Sequence, residues 1–410
     1  MSETEVTTAP APLTLADGRP AAAAWSLDPA LKHLNHGSFG AVPLVAQERQ
    51  ALLRAEMERS PVVWFPALPG RIAAARTDLA AFLRVDAGDL ALVPNASAGA
   101  SVVYQALTRR RGGEIVVTDH GYGAVTMGAE RLARRWGGRV RTARVPLAAD
   151  EDEAYEAVVA ELADATDLVV VDQITSATAR RLPVERIGAE ARRRGIPVLV
   201  DGAHSPGLLE APLADATYDF WTGNLHKWGC APRGTAALVA RGPLRDELYP
   251  LIDSWGARDP YPDRFDQQGT IDATAYLAAP TALDFVDRTW SWPEARRYMD
   301  ELADYGAQVI GARLTHADSA VDVGMPVPGM RLVRLPDGLG PTREDADALR
   351  DRVADELAVE AAFTSFDGIG YLRLSAHVYN TPADYEYFAE ACVPALGAWA
   401  RDITGKRSAR

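Results

Sequence analysis

Along this chain, short apolar runs alternate with stretches in which apolar positions recur at helical spacing. Leu90 to Val93, Glu114 to Thr118, Leu168 to Asp172 and Pro197 to Asp201 read as strands. Between them, Ser97 to Leu107, Val125 to Trp136 and Val184 to Arg194 read as helices, and upstream Ala46 to Arg59 turns Leu52, Leu53 and Met57 to one side. Strands without a polar face, separated by helices, are what a mostly parallel sheet covered on both faces requires. The rhythm changes after Thr270. Ala273 to Val286 and Pro293 to Leu314 predict long helices. Strands at Met330–Leu335, Val359–Thr364 and Tyr371–Leu374 follow, with helices at Arg343–Glu356 and Ala383–Trp399. The expectation is an α/β large domain over residues 25–285 and a smaller α+β domain over 286–410. Residues 1–24, rich in Ala, Pro and Thr, read as a flexible lead-in.

Composition narrows the class. With 48% hydrophobic and 24% charged residues and a mean hydropathy of -0.12, the 410-residue chain has ample material for a core, which excludes global disorder. A net charge of -13 and a pI near 5.1 exclude the broad positive field of a nucleic-acid binder, although a local anion site stays compatible. Two cysteines, Cys230 and Cys392, rule out a disulfide framework and a four-cysteine zinc site, and no metal is expected. Met1 to Pro12 lacks a basic n-region, and no apolar stretch approaches the roughly 18–20 residues that span a bilayer. A soluble protein of the reducing cytoplasm is the expectation.

In open parallel sheets ligands bind at the carboxyl ends of the strands, so the residues just beyond each strand carry the chemistry. After Val93 come Asn95, Ala96, Ser97 and Ala98, where an N-cap and small residues open a helix whose free N–H groups suit a phosphate; alone, this is also how an ordinary capped helix looks. After Val200 comes Asp201, a carboxylate that is costly to bury unless a cation or donor meets it. Lys227 sits among His226, Trp221 and Trp228, and a lysine held by apolar groups is a candidate nucleophile. Gly269 and Thr270 can offer donors to a phosphate, or simply form a turn. A phosphate cradle, a buried Asp and a lysine one strand later are together the parts needed to hold pyridoxal 5'-phosphate.

The segments Leu34-Asn35-His36-Gly37-Ser38-Phe39-Gly40, Asp201-Gly202-Ala203-His204, His226-Lys227-Trp228, Ala231-Pro232-Arg233-Gly234, Gly269-Thr270 and Arg373-Leu374-Ser375 span the chain from about residue 30 to about residue 380. In these the chain resembles the class V, fold-type I pyridoxal-phosphate enzymes, and within them the isopenicillin N epimerase-like branch. The resemblance implies Lys227 as the Schiff-base lysine and later the base, Asp201 on the pyridine nitrogen, and His204 and Ser176 near the ring's phenolic oxygen. It implies Ser97, the N–H groups of Ala96 and Ala98, Thr222, Asn224 and His226 as phosphate ligands. Tyr122, or His120 in its place, would stack on the ring. Gly269 and Thr270 would reach the phosphate of a neighbouring subunit, which implies a homodimer with shared sites. Arg373 would grip the substrate carboxylate, a task suited to a planar fork, and Asn35, His36 and Ser38 would complete the substrate site.

The small-molecule substrate is then an amino acid or a peptide-like amino acid losing its α-proton. Epimerisation leads, with β- or γ-elimination, including C–S lysis, and transamination as alternatives. His36 and His377 are candidates for a second base, and Trp255, Tyr261, Arg264 and Phe265 for a pocket-lining loop. A persulfide-forming desulfurase is disfavoured, since no cysteine lies between Ala231 and Ala391 and Cys392 falls in a helix. A catalytically silent scaffold has no use for Asp201, Lys227 and Arg373 together, and a magnesium-dependent phosphate enzyme leaves Lys227 unexplained.

Overall fold

The computed structural model describes residues 8–107, 112–314 and 320–408, with side chains to residue 404. In chain order the strands are β1 (Lys32–His33), β2 (Leu90–Val93), β3 (Glu114–Thr118), β4 (Arg139–Ala143), β5 (Thr166–Asp172) and β6 (Val198–Asp201). They continue with β7 (Phe220–Asn224), β8 (Ala236–Ala240), β9 (Met330–Arg334), β10 (Val359–Glu360), β11 (Ala362–Phe366) and β12 (Ile369–Ser375). The chain divides into two units. The larger comprises residues 42–176 and 181–288, the smaller residues 1–41, 177–180 and 289–410.

The larger unit holds a seven-stranded sheet in the order β2-β8-β7-β6-β5-β3-β4. From β7 to β4 every pairing is parallel, while β8 runs antiparallel to both β7 and β2. Strands β2, β3, β6, β7 and β8 are buried along their whole length, as the unbroken apolar runs require. The helices between them match the sequence pattern closely, at Ala96–Ala106, Gly123–Trp136 and Val184–Arg193. Sheet and helices meet in one core that includes Val103, Ile115, Val117, Leu132, Leu199 and Phe220.

One long helix, Pro61–Leu83, has no clear sequence signal because Pro66 and Pro69 lie inside it. Each proline forfeits a backbone hydrogen bond. The helix holds because Trp64, Leu68, Ile72, Ala75, Leu79 and Leu83 form one buried stripe at helical spacing. Arg76 on this helix is buried as well and bonds both Asp263 (2.7 Å) and Asp266 (2.9 Å), tying the helix to the loop that carries Arg264 and Phe265.

In the smaller unit β11, β12 and β9 form an antiparallel sheet, with Arg373 of β12 opposite Leu332 and Ala362. Helices Trp292–Gly311 and Arg343–Leu357 contribute Leu302, Ile310, Leu349 and Val353 to its core, beside Leu372 and Leu374 of β12. Two details depart from the sequence reading. The expected strand over residues 359–364 is two strands, and its first piece, β10, pairs in parallel with β1. The expected helix over 383–399 is Pro382–Tyr387, a π turn over Phe388–Cys392, and Val393–Ser408.

The N-terminal segment also behaves differently from a lead-in. Residues 21–24 form a 3-10 turn, Ala21 and Trp25 are buried, and Trp290 Nε1 donates to the Thr14 carbonyl at 2.8 Å. Through these contacts and β1, residues 8–41 belong with the smaller unit rather than with the large domain. The apolar side chains at 13, 21, 25 and 34 supply the reason, since burial offsets the entropy of ordering this Ala-rich stretch.

Candidate active site

In the larger unit the strand ends come together as the parallel sheet dictates. Asp172, the last residue of β5, pairs in register with Asp201, the last of β6, and Asp201 pairs in turn with Thr222 of β7. Two buried carboxylates therefore lie side by side at the carboxyl edge. Asp201 accepts from the Ala203 N–H through Oδ1 (2.9 Å), whereas its Oδ2 is buried with no hydrogen-bond partner. Burial raises its pKa from the usual aspartate value, against the opposing pull of the Ala203 N–H. Asp172 accepts from the Tyr122 N–H (3.3 Å), and burial, with the nearby Asp201 charge adding to it, pushes its pKa well up. Asp172 is a site residue that the sequence reading passed over. The signal was present, since β5 and β6 both end an apolar run in Asp.

Lys227 stands in the turn after β7, 8% exposed. Its Nζ lies 3.0 Å from His204 Nε2, and the indole N–H of the neighbouring Trp228 donates to His204 Nδ1 at 3.2 Å. His204 and Trp228 are both buried. Beneath this group Trp221 donates to Gln173 Oε1 (3.0 Å), with its indole filling the space where a Cβ on Gly202 or Gly223 would stand. The two glycines of the Asp-Gly-Ala-His and Thr-Gly-Asn segments are thus required by close packing.

At the helix start where a phosphate cradle is expected, two features depart from the sequence reading. The Ala96 N–H donates to Asn224 Oδ1 (2.8 Å) and the Ala98 N–H to Asn95 Oδ1 (2.9 Å), so neither points out unengaged. Helix N-termini satisfy their first N–H groups with side chains, and this one does so twice. Asn224 thereby acts first as an anchor of the cradle. His226 Nδ1 lies 3.2 Å from the Thr235 carbonyl, which can only accept, and burial lowers the His226 pKa to about 4. Neutral His226 therefore carries its proton on Nδ1 and presents Nε2 as an acceptor, so it can donate to a phosphate only after gaining a second proton. Thr222 is buried, its hydroxyl 3.5 Å from the Ala96 carbonyl and against Gly99, where a Cβ would collide with Oγ1. Ser97 is half-buried in the first turn of the same helix.

Of the ring-stacking candidates, His120 is 2% exposed with Nε2 held at 2.8 Å by the Val145 carbonyl, while Tyr122 is 44% exposed. Ser176 follows β5 and is half-buried, and Gly269 and Thr270 are exposed, Gly269 with a φ of 77°. Tyr261, Arg264 and Phe265 are buried in the larger unit's structure, with Arg264 bonded to the carbonyls of Asp259 (2.8 Å) and Asp246 (3.0 Å), so they serve packing; Trp255 is 92% exposed.

The smaller unit holds the remaining candidates in a cluster of its own. Arg373 Nη2 donates to Ser38 Oγ (2.9 Å) and Asn35 Oδ1 (3.2 Å), and Ser38 Oγ donates to the same Asn35 oxygen (2.6 Å). His36 stacks on His377, ring centroids 3.9 Å apart, and its Nδ1 lies 3.0 Å from the Tyr379 hydroxyl. The Asn35–Ser38 and Arg373 segments, far apart in sequence, are thus neighbours.

The Asp201 oxygen tests the fit of a pyridoxal-type cofactor. A buried carboxylate oxygen without a donor is costly, and a protonated pyridine nitrogen is a donor of the right kind. An amine within the same buried group and a small-residue helix start supply the other two attachments. The residues fit the group.

Comparison with known proteins agrees. The profile of the Aminotransferase class-V family matches residues 68–315. Isopenicillin N epimerase of Streptomyces clavuligerus is 34% identical over 403 residues, covering 92% of this chain and 98% of that protein. A probable chloroplastic L-cysteine desulfhydrase of Arabidopsis thaliana is 27% identical over 398 residues, covering 89% of this chain and 82% of its own length. Among solved structures, a cystine C–S lyase in complex with its reaction product cysteine persulfide superposes with a TM-score of 0.76 at 21% identity, covering 89% of this chain and 97% of that one. The fold and site define a pyridoxal-phosphate-dependent enzyme of fold-type I. The chain belongs to the class V aminotransferase family. No helix among the described residues is long and apolar enough to cross a membrane.

Proposed function

We propose that this enzyme removes the α-proton of an amino acid or a peptide-like amino acid and returns a proton at the same carbon, an epimerase-like reaction. The observation that carries the reading is the buried Lys227 Nζ held 3.0 Å from His204 Nε2 beside the unpartnered Asp201 oxygen. Similarity to an isopenicillin N epimerase, 34% identical over 92% of this chain, supports the outcome. Bound pyridoxal phosphate supplies an electron sink for the pair left at the α-carbon. Lys227 would hold the cofactor through Nζ and would take the α-proton at that same atom. Asp201 offers Oδ2 to the ring nitrogen, and its negative charge keeps that nitrogen protonated. His204 and Ser176 would hold the phenolic oxygen. Ser97 and Thr222 hold the phosphate with the N–H groups of Ala96 and Ala98, which become available as Asn224 and Asn95 turn away, and His226 contributes when protonated. Tyr122 covers the ring. Arg373 binds the substrate carboxylate in the place its Nη2 now gives to two neutral oxygens, with Asn35, Ser38 and His36 around it. Gly269 and Thr270 serve the phosphate of a second copy, so the enzyme is a homodimer.

The second reading is a C–S or other β-elimination lyase, favoured by the cysteine desulfhydrase relatives. It needs no protein thiol, and both thiols here are buried, with burial pushing the Cys392 pKa up to about 12 and that of Cys230 further still. A buried thiol of raised pKa is a poor persulfide carrier. The deciding experiment incubates the holoenzyme with L- and D-amino acids, cysteine and peptide-like amino acids in D₂O. Deuterium at the α-carbon with inverted configuration is expected. Pyruvate with sulfide release, and no inversion, would replace the epimerase reading with the lyase.

A further inference from the structure

We propose that Trp228 is a positioning residue that, through His204, holds Lys227 as a neutral amine. The inference rests on the reading of Lys227 as the amine that takes up the cofactor. An indole nitrogen carries one hydrogen and no available lone pair, so it only donates. At 3.2 Å from His204 Nδ1, the Trp228 N–H makes that ring nitrogen the acceptor. An imidazole whose Nδ1 accepts carries its proton on Nε2. That Nε2–H then meets Lys227 Nζ at 3.0 Å. An ammonium has three N–H groups and nothing to accept with, so this contact is a hydrogen bond only if Lys227 is NH₂.

The surroundings keep the arrangement from relaxing. Trp228 and His204 are 0% and 1% exposed, so neither ring has room to swing away. Lys227 and Trp228 are consecutive, and one turn therefore sets both partners of the imidazole. Gly207, at a φ of 91°, lets the segment carrying His204 lie against the Trp228 carbonyl, where a Cβ would stand 2.7 Å from the carbonyl carbon and oxygen. Asp172 and Asp201 act on Lys227 in the opposite sense, since their charges favour the ammonium. Burial raises the pKa of both, which disfavours their charged forms. His226, lowered to about 4, is neutral and adds no charge of its own. The chain of donors decides the balance. A neutral amine is the form that attacks an aldehyde carbon: the nitrogen lone pair makes the new bond, the carbonyl pair moves to oxygen, and one water leaves. Without the indole N–H, His204 is able to move its proton to Nδ1, accept through Nε2, and stabilise the ammonium instead.

The test strips the cofactor from the holoenzyme by dialysis against hydroxylamine. Added pyridoxal 5'-phosphate is then followed by its visible absorbance from about pH 6 to about pH 10, with borohydride trapping and peptide mass locating the label on Lys227. The wild type is expected to capture the cofactor at neutral pH. Trp228→Phe, which keeps a ring and loses the donor, moves the half-rate point up by about one pH unit, a roughly tenfold slower capture near neutrality. His204→Gln should keep the wild-type half-rate pH, even as the rate and amplitude of capture fall, because its amide oxygen accepts from Trp228 and its NH₂ donates to Lys227. His204→Leu, which can do neither, should shift as Trp228→Phe does. Superimposable profiles for wild type and Trp228→Phe overturn the proposal. Should Trp228→Phe fail to fold, equal half-rate pH values for His204→Gln and His204→Leu overturn it equally. Absence of capture on Lys227 at any pH in the wild type strikes instead at the role of Lys227 itself.

Discussion

In the smaller unit Arg373, Asn35 and Ser38 hydrogen-bond one another, so neutral oxygens hold the guanidinium Nη2. In the larger unit Asp201 keeps an oxygen without a donor, and Asp172, His226 and Cys230 all have pKa values displaced by burial. The difference follows from architecture. Parallel strands end together at one edge, and β5, β6 and β7 bring their terminal polar residues together with no neighbouring strand to satisfy them. The antiparallel strand β12 presents Arg373 in mid-strand, and a short helix cap supplies its partners. Groups left short of partners and displaced in pKa are poised for proton and bond chemistry. A fixed guanidinium with neutral oxygens on it is suited to recognition.

The comparison breaks most sharply at Lys227. Lys227→Ala should abolish the visible band of the bound cofactor and lower turnover by at least about 10³-fold, measured by absorbance and by α-proton exchange. Retention of both would transfer the chemistry elsewhere. Asp201→Asn is nearly isosteric and removes the negative charge proposed to meet the cofactor nitrogen. Turnover should fall on the order of 10²-fold, with a melting temperature that does not drop, because a buried carboxylate oxygen without a donor contributes nothing to stability. A large loss of stability with unchanged turnover would make Asp201 structural.

Much of this asymmetry can be read from sequence, and for a physical reason. Apolar runs ending in Asp at β5 and β6 mark strand ends directly, and a capped small-residue helix marks the cradle, because both depend on neighbours in sequence. What escaped depends on residues far apart. The occupancy of the Ala96 N–H requires Asn224, 128 positions away. The contact of Lys227 Nζ requires His204, 23 positions away, and the Pro61–Leu83 helix is held by burial that overrides its internal prolines. The N-terminal segment joins the smaller unit through β10, a pairing across more than 320 positions that no local pattern announces.

The recognition side of the comparison is sharpened by Arg373→Ala. The expected result is a KM for carboxylate substrates raised roughly 10- to 100-fold, the worth of a charge-assisted hydrogen bond, with kcat changed far less. Arg373→Lys should recover only part of this, since an ammonium cannot present two parallel N–H groups. Equal losses in kcat and kcat/KM would place Arg373 with the reacting groups and dissolve the distinction between the clusters.

The smallest effect concerns stability alone. His226 has its pKa lowered from 6.5 to about 4, chiefly by burial. A base whose folded pKa is depressed binds fewer protons when folded than when unfolded throughout that interval, so unfolding free energy rises with pH there. Its contribution is fully present above about pH 6.5 and is lost as the pH falls towards 4, by roughly 3 kcal/mol. Denaturant titrations of the cofactor-free protein across that range should show the loss, and His226→Gln should flatten it. Added phosphate should flatten it too, because an anion in the cradle favours the second proton on His226 and raises its folded pKa. A slope indifferent to phosphate would remove His226 from the cradle and leave it as a packing residue that happens to titrate.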